Sequence, residues 1–212
     1  MPKTILFDLD GTLTDSGEGI INCAMLALET LGIPVPDRDA MRTFVGPPLH
    51  DTFKKIGVPE GNVDEAVKIF RSRYFTVGKF ENFPYPGIPE LLQKLKAEGH
   101  TLYIATSKPE TLALEVTQHF KLAQYFDMIC GATLDNSRVN KEDVITYLLE
   151  QCSGANNVIM VGDTQYDVIG AKAHGIDTIG VTWGYGSEES MIRAGAAAIV
   201  HSTEELHKLI NA

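Results

Sequence analysis

From residue 83 onward the chain alternates between short apolar runs and amphipathic stretches, and this alternation limits the possible folds more than any other feature. After the turn-forming Phe83-Pro84-Tyr85-Pro86-Gly87, the spacing predicts a helix over 88–98 closed by Gly99 and a strand over 101–106. A helix over 109–119 and a strand over 127–130 follow. The pattern continues with a helix over 141–152, a strand over 158–161, a helix ending near His174-Gly175 and a strand over 176–181. A weaker strand and helix lie around Ile199 and Leu206 to Ile210. Strands that alternate with helices build a parallel sheet covered on both faces, because each crossover lays a helix across the strands that it joins.

One apolar run, Thr4 to Phe7, stands apart from this series and ends in Asp8-Leu9-Asp10-Gly11. As a strand it needs that later sheet as its partner. The intervening residues change period: Ile20, Ile21, Ala24, Met25, Leu28 and Leu31 trace one face of a helix that Gly32 can close. Asp37 can cap a short second helix, and Leu49 to Ile56 reads as a third ended by Gly57. Asn62 with Glu65 resembles a capping box ahead of a helix carrying Ala66, Val67, Phe70, Tyr74 and Val77. The expected organisation is a doubly wound α/β core made of residues 1–15 and 83–212, with an all-helical unit, residues 16–82, inserted after the first strand.

With 212 residues, 44% of them hydrophobic, the chain can bury such a core. Eighteen basic against 28 acidic residues give a net charge of −10, which repels polyanions and argues against a nucleic-acid partner. A small anionic substrate would need local compensation from a metal ion or a few lysines. The three cysteines, Cys23, Cys130 and Cys152, form neither a disulfide framework nor a CxxC pair, and are expected in the core of a protein of a reducing compartment. The opening Met1-Pro2-Lys3 lacks the pattern of a secretory signal, and no run is long enough to span a membrane, so a cytoplasmic location is expected. The six histidines, His50, His100, His119, His174, His201 and His207, show no metal-binding spacing and are expected at surface or capping positions.

In open α/β sheets ligands bind outside the carboxyl ends of the strands. Four polar stops fall there: Asp8-Leu9-Asp10-Gly11-Thr12, Thr106-Ser107-Lys108, Lys141 at a helix start, and Gly162-Asp163 followed by Asp167. Asp8 and Asp10 are two apart, so an extended backbone points both carboxylates to one side. Together with Asp163 they make a set of hard oxygen ligands suited to Mg²⁺, though an isolated DxD more often reads as a solvated turn or helix cap. Thr106 is either a phosphate-binding hydroxyl or a strand-end cap, and Asp167 either orients the site or is an ordinary first-turn acid. Trp183 and Tyr185, in a glycine-rich turn, line a pocket mouth or simply pack.

The segment Ile5-Leu6-Phe7-Asp8-Leu9-Asp10-Gly11-Thr12-Leu13-Thr14-Asp15-Ser16 and the three later stops resemble the haloacid dehalogenase-like hydrolases, a superfamily made largely of phosphatases. The resemblance implies a Rossmann-like core with a small helical cap, and a Mg²⁺-dependent phosphatase acting on small phosphate monoesters. It makes Asp8 the nucleophile and Asp10 the general acid and base, with Thr106 and Lys141 as catalytic and phosphate-binding residues. Asp8, Asp10 (through its backbone carbonyl) and Asp163 become the metal ligands, Asp167 a supporting acid and Ser107 a further phosphate contact. Family members often have Pro after the lysine, where Glu142 stands here.

Phe44-Val45-Gly46-Pro47-Pro48-Leu49 falls where such caps carry a specificity loop, which puts Gly46 and Pro47 against substrate unless the segment is only a rigid connector. Within the superfamily the chain resembles phosphatases of the phosphoglycolate phosphatase type, while Gly11-Thr12-Leu13-Thr14-Asp15-Ser16 and Val45-Gly46-Pro47-Pro48-Leu49 look more like the 5'-nucleotidase branch. The absence of a cation from that segment suits a nucleoside leaving group, although Arg42, Lys54 and Lys55 lie close by. The expected partner is a small phosphorylated metabolite, without nucleic acid or membrane, bound by a monomer or small homo-oligomer. A hexose phosphate mutase and a non-catalytic phosphometabolite-binding module are the alternatives.

Overall fold

The computed structural model describes residues 1–135, 137–152 and 157–212. Strand β1 (Thr4–Phe7) is buried along its whole length, as its unbroken apolar run requires of a central strand. A two-residue strand, β2 (Thr14–Asp15), pairs with β3 (Phe83–Pro84). The other strands are β4 (Thr101–Pro109), β5 (Met128–Ala132), β6 (Val158–Gly162), β7 (Asp177–Val181) and β8 (Ala198–Val200). Among the described residues they form with β1 a six-stranded sheet, order β5-β4-β1-β6-β7-β8, with every pairing parallel. The chain fills one side of β1 with β4 and β5, then returns to the other side with β6. The position of reversal is where such sheets open a crevice at their carboxyl ends. Register aligns that end, since Phe7 lies beside Ile104 of β4 and Val161 of β6.

Alternate residues of β1 face opposite layers. Ile5 and Phe7 pack with Leu92 and Leu95 of α5 (Ile88–Ala97), Val116 of α6 (Glu110–His119), and Leu206 and Ile210 of α10 (Thr203–Ile210). Leu6 packs the other way, with Val144, Ile145 and Leu148 of α7 (Lys141–Gln151) and Ala171 of α8 (Gln165–Lys172). Burial of each such side chain contributes about 1.5–3 kcal/mol, and β1 is anchored in this way from both layers. It is also the strand that carries the first acids.

The chain divides into two compact units, Met1–Thr14 with Pro84–Ala212, and Asp15–Phe83. Both boundaries fall inside the short strands β2 and β3. The second unit is helical, with α1 (Gly17–Thr30), α2 (Arg38–Met41), α3 (Leu49–Lys55) and α4 (Val63–Tyr74). Helices α1 and α4 pack on each other, and their buried residues include Ile20, Ala24 and Leu28, and Ala66, Val67 and Phe70. Arg73 clamps Glu81 with two 2.7 Å hydrogen bonds, and Asp37 caps α2 by accepting from the Ala40 amide at 2.8 Å.

Several expectations are corrected. Asn62 makes no side-chain cap, and Glu65 pairs with Lys68 one turn on, so the Asn62–Glu65 capping box is absent. Val77 lies beyond the end of α4 and is exposed. His100 is not at the surface: it is 3% exposed, and its Nδ1 accepts from the Lys3 amide at 3.1 Å. Cys152 is only half-buried, unlike Cys23 and Cys130. Helix α9 (Glu188–Ala194), capped by Ser187, was not expected, because its 3.6-residue pattern is too short to register. Among the described residues no helix is long and apolar enough to cross a membrane.

Candidate active site

The sheet brings Asp8, just after β1, Thr106 of β4 and Asp163, just after β6, to the carboxyl end of three neighbouring strands. Asp8 continues the strand hydrogen bonding by donating its amide to the Val161 carbonyl at 2.9 Å, and the chain then turns through Gly11 at φ +90°. A Cβ on Gly11 would lie 2.3 Å from Asp163 Oδ2, so the turn needs glycine for its conformation and for the space that Asp163 fills.

Lys141, the first residue of α7, is 4% exposed and donates to the Ala105 carbonyl at 2.8 Å. Its Nζ lies 2.8 Å from Asp8 Oδ1 and 2.8 Å from Asp167 Oδ1. Burial alone would lower its pKa, but the charges of Asp167 and Asp8 outweigh this and hold it above the ordinary lysine value. Asp167 does two jobs, since its Oδ2 accepts from the Thr164 amide at 3.0 Å and the Thr164 hydroxyl at 2.9 Å, closing the first turn of α8. Asp163 is fully buried. Its Oδ1 accepts from the Thr12 hydroxyl at 3.1 Å and its Oδ2 from the Tyr185 amide at 2.8 Å.

The carboxylates of Asp8, Asp163 and Asp167 each offer an oxygen within 4.8 Å of the others. Burial pushes Asp163 up to about 7, with the charges of Asp167 and Asp8 adding to it. Burial, opposed by Lys141 and reinforced by Asp167, pushes Asp8 up to about 6. Neither Asp8 Oδ1 nor Asp167 Oδ1 accepts a well-aligned hydrogen bond, despite the nearby ammonium. Among the described residues the three clustered acids have one lysine, paired with Asp8 and Asp167, and so lack positive charge; all three donors are hard oxygens, a combination that fits a divalent cation such as Mg²⁺.

Asp10 does not enter this set with its side chain. Its two carboxylate oxygens accept from Lys108 Nζ at 3.0 and 2.8 Å, so the Asp10 carboxylate is held in an ion pair of its own. Thr106 is 2% exposed, and its hydroxyl accepts from the Lys108 amide at 3.2 Å. Ser107 between them is exposed. Gly46 and Pro47 lie in the helical unit in a bend ahead of α3, with Gly46 exposed at φ +104°.

Two participants were missed. Thr12 meets Asp163 across 151 residues of sequence, which no local pattern shows. Lys108 stood within a recognised strand stop, but its side chain reaches Asp10 only because β4 runs on to Pro109 with an irregularity in register after Thr106. The turn holding Trp183 and Tyr185 packs onto the site: Trp183 Nε1 donates to the Thr12 carbonyl at 3.0 Å, and a Cβ on Gly184 would meet Asp163 Oδ2 at 2.3 Å.

Comparison with known proteins gives the family. The profile of the haloacid dehalogenase-like hydrolase family matches residues 5–181. A 5'-nucleotidase of Pseudomonas aeruginosa is 44% identical over 189 residues, covering 88% of this chain and 86% of that protein. A tyrosine-protein kinase, PtkA, of Mycobacterium tuberculosis is 41% identical over 202 residues, covering 95% of this chain and 69% of that protein. Among solved structures, a predicted phosphatase from Clostridium acetobutylicum superposes with a TM-score of 0.92 at 44% identity, covering 100% of this chain and 99% of the other. The chain belongs to the haloacid dehalogenase-like hydrolases. Within that family it is an enzyme of the phosphatase kind.

Proposed function

We propose that this phosphatase uses Asp8 as its nucleophile, is dependent on Mg²⁺, and hydrolyses small phosphate monoesters, nucleoside 5'-monophosphates ahead of 2-phosphoglycolate. The observation that carries the reading is the placement of Asp8 at the end of the central strand, paired with buried Lys141 beside the acids Asp163 and Asp167.

Phosphoryl transfer needs an in-line nucleophile and compensation for charge on the transferring group. Asp8 attacks phosphorus and displaces the alcohol, giving an aspartyl phosphate that divides one hard hydrolysis into two easier steps. Asp10 gives a proton to the leaving oxygen and then takes one from the water that opens the acyl phosphate. The Thr106 hydroxyl, with Ser107 beside it, and the Lys141 ammonium bind phosphoryl oxygens, and Lys141 also balances the acid cluster. Asp8 and Asp163, with the Asp10 carbonyl, would hold Mg²⁺, whose charge lets one anion approach another. Asp167 orients Lys141.

The unit Asp15–Phe83 is read as a cap that shields the reaction from water, because the chain enters it four residues after Gly11 through β2 and leaves it through β3, the strand paired with β2. Its Gly46-Pro47 bend is read as a substrate contact. The preference for nucleotides is supported by the Pseudomonas relative's name and by the lack of a cation between Phe44 and Leu49. The three free cysteines of the chain suit work in the reducing cytoplasm.

The test is phosphate release from a panel of monoesters, with chelator and Asp8→Asn as controls. The expected result is Mg²⁺-dependent release, fastest on nucleoside monophosphates and lower by at least about a thousandfold in the variant. Faster release from 2-phosphoglycolate would remove the substrate claim, and full activity in chelator would remove the metal. Because one relative is named a tyrosine kinase, labelled ATP with a protein acceptor belongs in the panel. Label is expected in inorganic phosphate, and transfer to tyrosine would contradict hydrolysis as the main reaction.

A further inference from the structure

The geometry points to Lys108 as the residue that positions Asp10 for proton transfer, an inference that rests on the phosphatase reading given above. Three features build the contact. Strand β4 loses its regular register between Thr106 and Pro109, and such irregularities re-aim side chains beside active sites. Here Thr106 and Lys108 are both buried while Ser107 between them is exposed, and the Lys108 amide is tied back to the Thr106 hydroxyl at 3.2 Å. On the neighbouring strand, a Cβ at Gly131 would lie 2.5 Å from the Lys108 carbonyl, so only glycine lets the backbone pack there.

The lysine side chain is 3% exposed and reaches both oxygens of Asp10, at 3.0 and 2.8 Å. A carboxylate has about four acceptor directions, so a lysine holding one on each oxygen fixes the plane of the group without exhausting its capacity to exchange a proton. This matters because proton transfer requires the acid to stand within hydrogen-bond reach of the departing oxygen. As the bond from Asp8 to phosphorus forms and the ester P–O bond breaks, the electron pair of the broken bond goes to that oxygen, which takes its proton from Asp10. Lys108 touches neither reacting atom in this scheme, and acts by holding Asp10 where the proton is needed.

The dependence on leaving group tests this, since a ribose 5'-alkoxide needs protonation as it departs and a nitro-activated phenolate does not. The quantity to compare is kcat/KM, which reports the steps up to loss of the leaving group. Lys108→Met is expected to lower kcat/KM on a nucleoside 5'-monophosphate by about 100-fold, with a much smaller loss on the nitrophenyl ester. Asp10→Asn should show the same split, and Lys108→Arg should recover part of the nucleotide activity. An equal loss on both esters, or no loss on either, would overturn the inference. Should the Met variant fail to fold, the Arg variant decides, because a loss confined to the nucleotide supports positioning and an equal loss refutes it. Wild-type protein that releases phosphate from neither ester would instead sink the phosphatase reading itself.

Discussion

At the scale of single residues, the site is a problem in unbalanced charge. Among the described residues Lys141 is the one cation paired with Asp8 and Asp167, and it is buried with them. Removing one partner from such a group costs about 3–5 kcal/mol, because the remaining charges are left without compensation. Lys141→Met should therefore lower the denaturation midpoint of metal-free protein at pH 8 as well as abolish turnover, and a variant as stable as the parent would show that the pair carries no such weight. Gly11→Ala tests a steric claim. Its Cβ would sit 2.3 Å from Asp163 Oδ2 at a φ of +90°, so the alanine variant should lose Mg²⁺ affinity in a calorimetric titration, and unchanged affinity would contradict the packing argument.

At the scale of elements, helix starts do the positioning. Lys141 opens α7 behind Asn140, whose side chain accepts from the Asp143 amide at 2.9 Å while Asp143 accepts from the Asn140 amide at 3.3 Å. Asn140→Ala should cost about 1 kcal/mol, a fall of about 2–4 °C in Tm, and should loosen Lys141 enough to lower kcat. Loss of Tm with kcat intact would limit the cap to stability. The alternation of strands and helices was legible from the sequence because buried parallel strands are unbroken apolar runs, and Asp8 and Asp163 could be singled out because they end two of them. The Asn62–Glu65 signature misled, since the same residue types satisfy local charge pairing as readily as a cap. Lys108 and Thr12 were not legible, because their partners depend on a strand irregularity and on contact between distant turns. His100 was misread for a related reason: its burial depends on the chain's first residues and last helix, with Lys3 on one ring nitrogen and Asn211 on the other.

At the scale of the whole molecule, the acid cluster couples stability to pH and metal. Asp8 at about 6 and Asp163 at about 7 stand above the 3.8 of an unfolded aspartate, so the folded metal-free protein holds more protons than the unfolded chain. This contribution is complete below about pH 4 and is lost as pH rises through the folded values, which makes the metal-free protein less stable at pH 8 than at pH 5 by this effect. Mg²⁺ competes with those protons, so its gain in Tm should be larger at pH 8 than at pH 5. A gain independent of pH would place the ion elsewhere. The net charge of −10 acts over longer range, and added neutral salt should lower KM for an anionic substrate by screening it.

The most direct measurement is an acid quench of the enzyme during turnover of a ³²P-labelled nucleoside monophosphate. The account predicts protein-bound label that hydroxylamine removes and that maps to Asp8, with none in Asp8→Asn. Undiminished phosphate release by the Asn variant, or label on another residue, would contradict it.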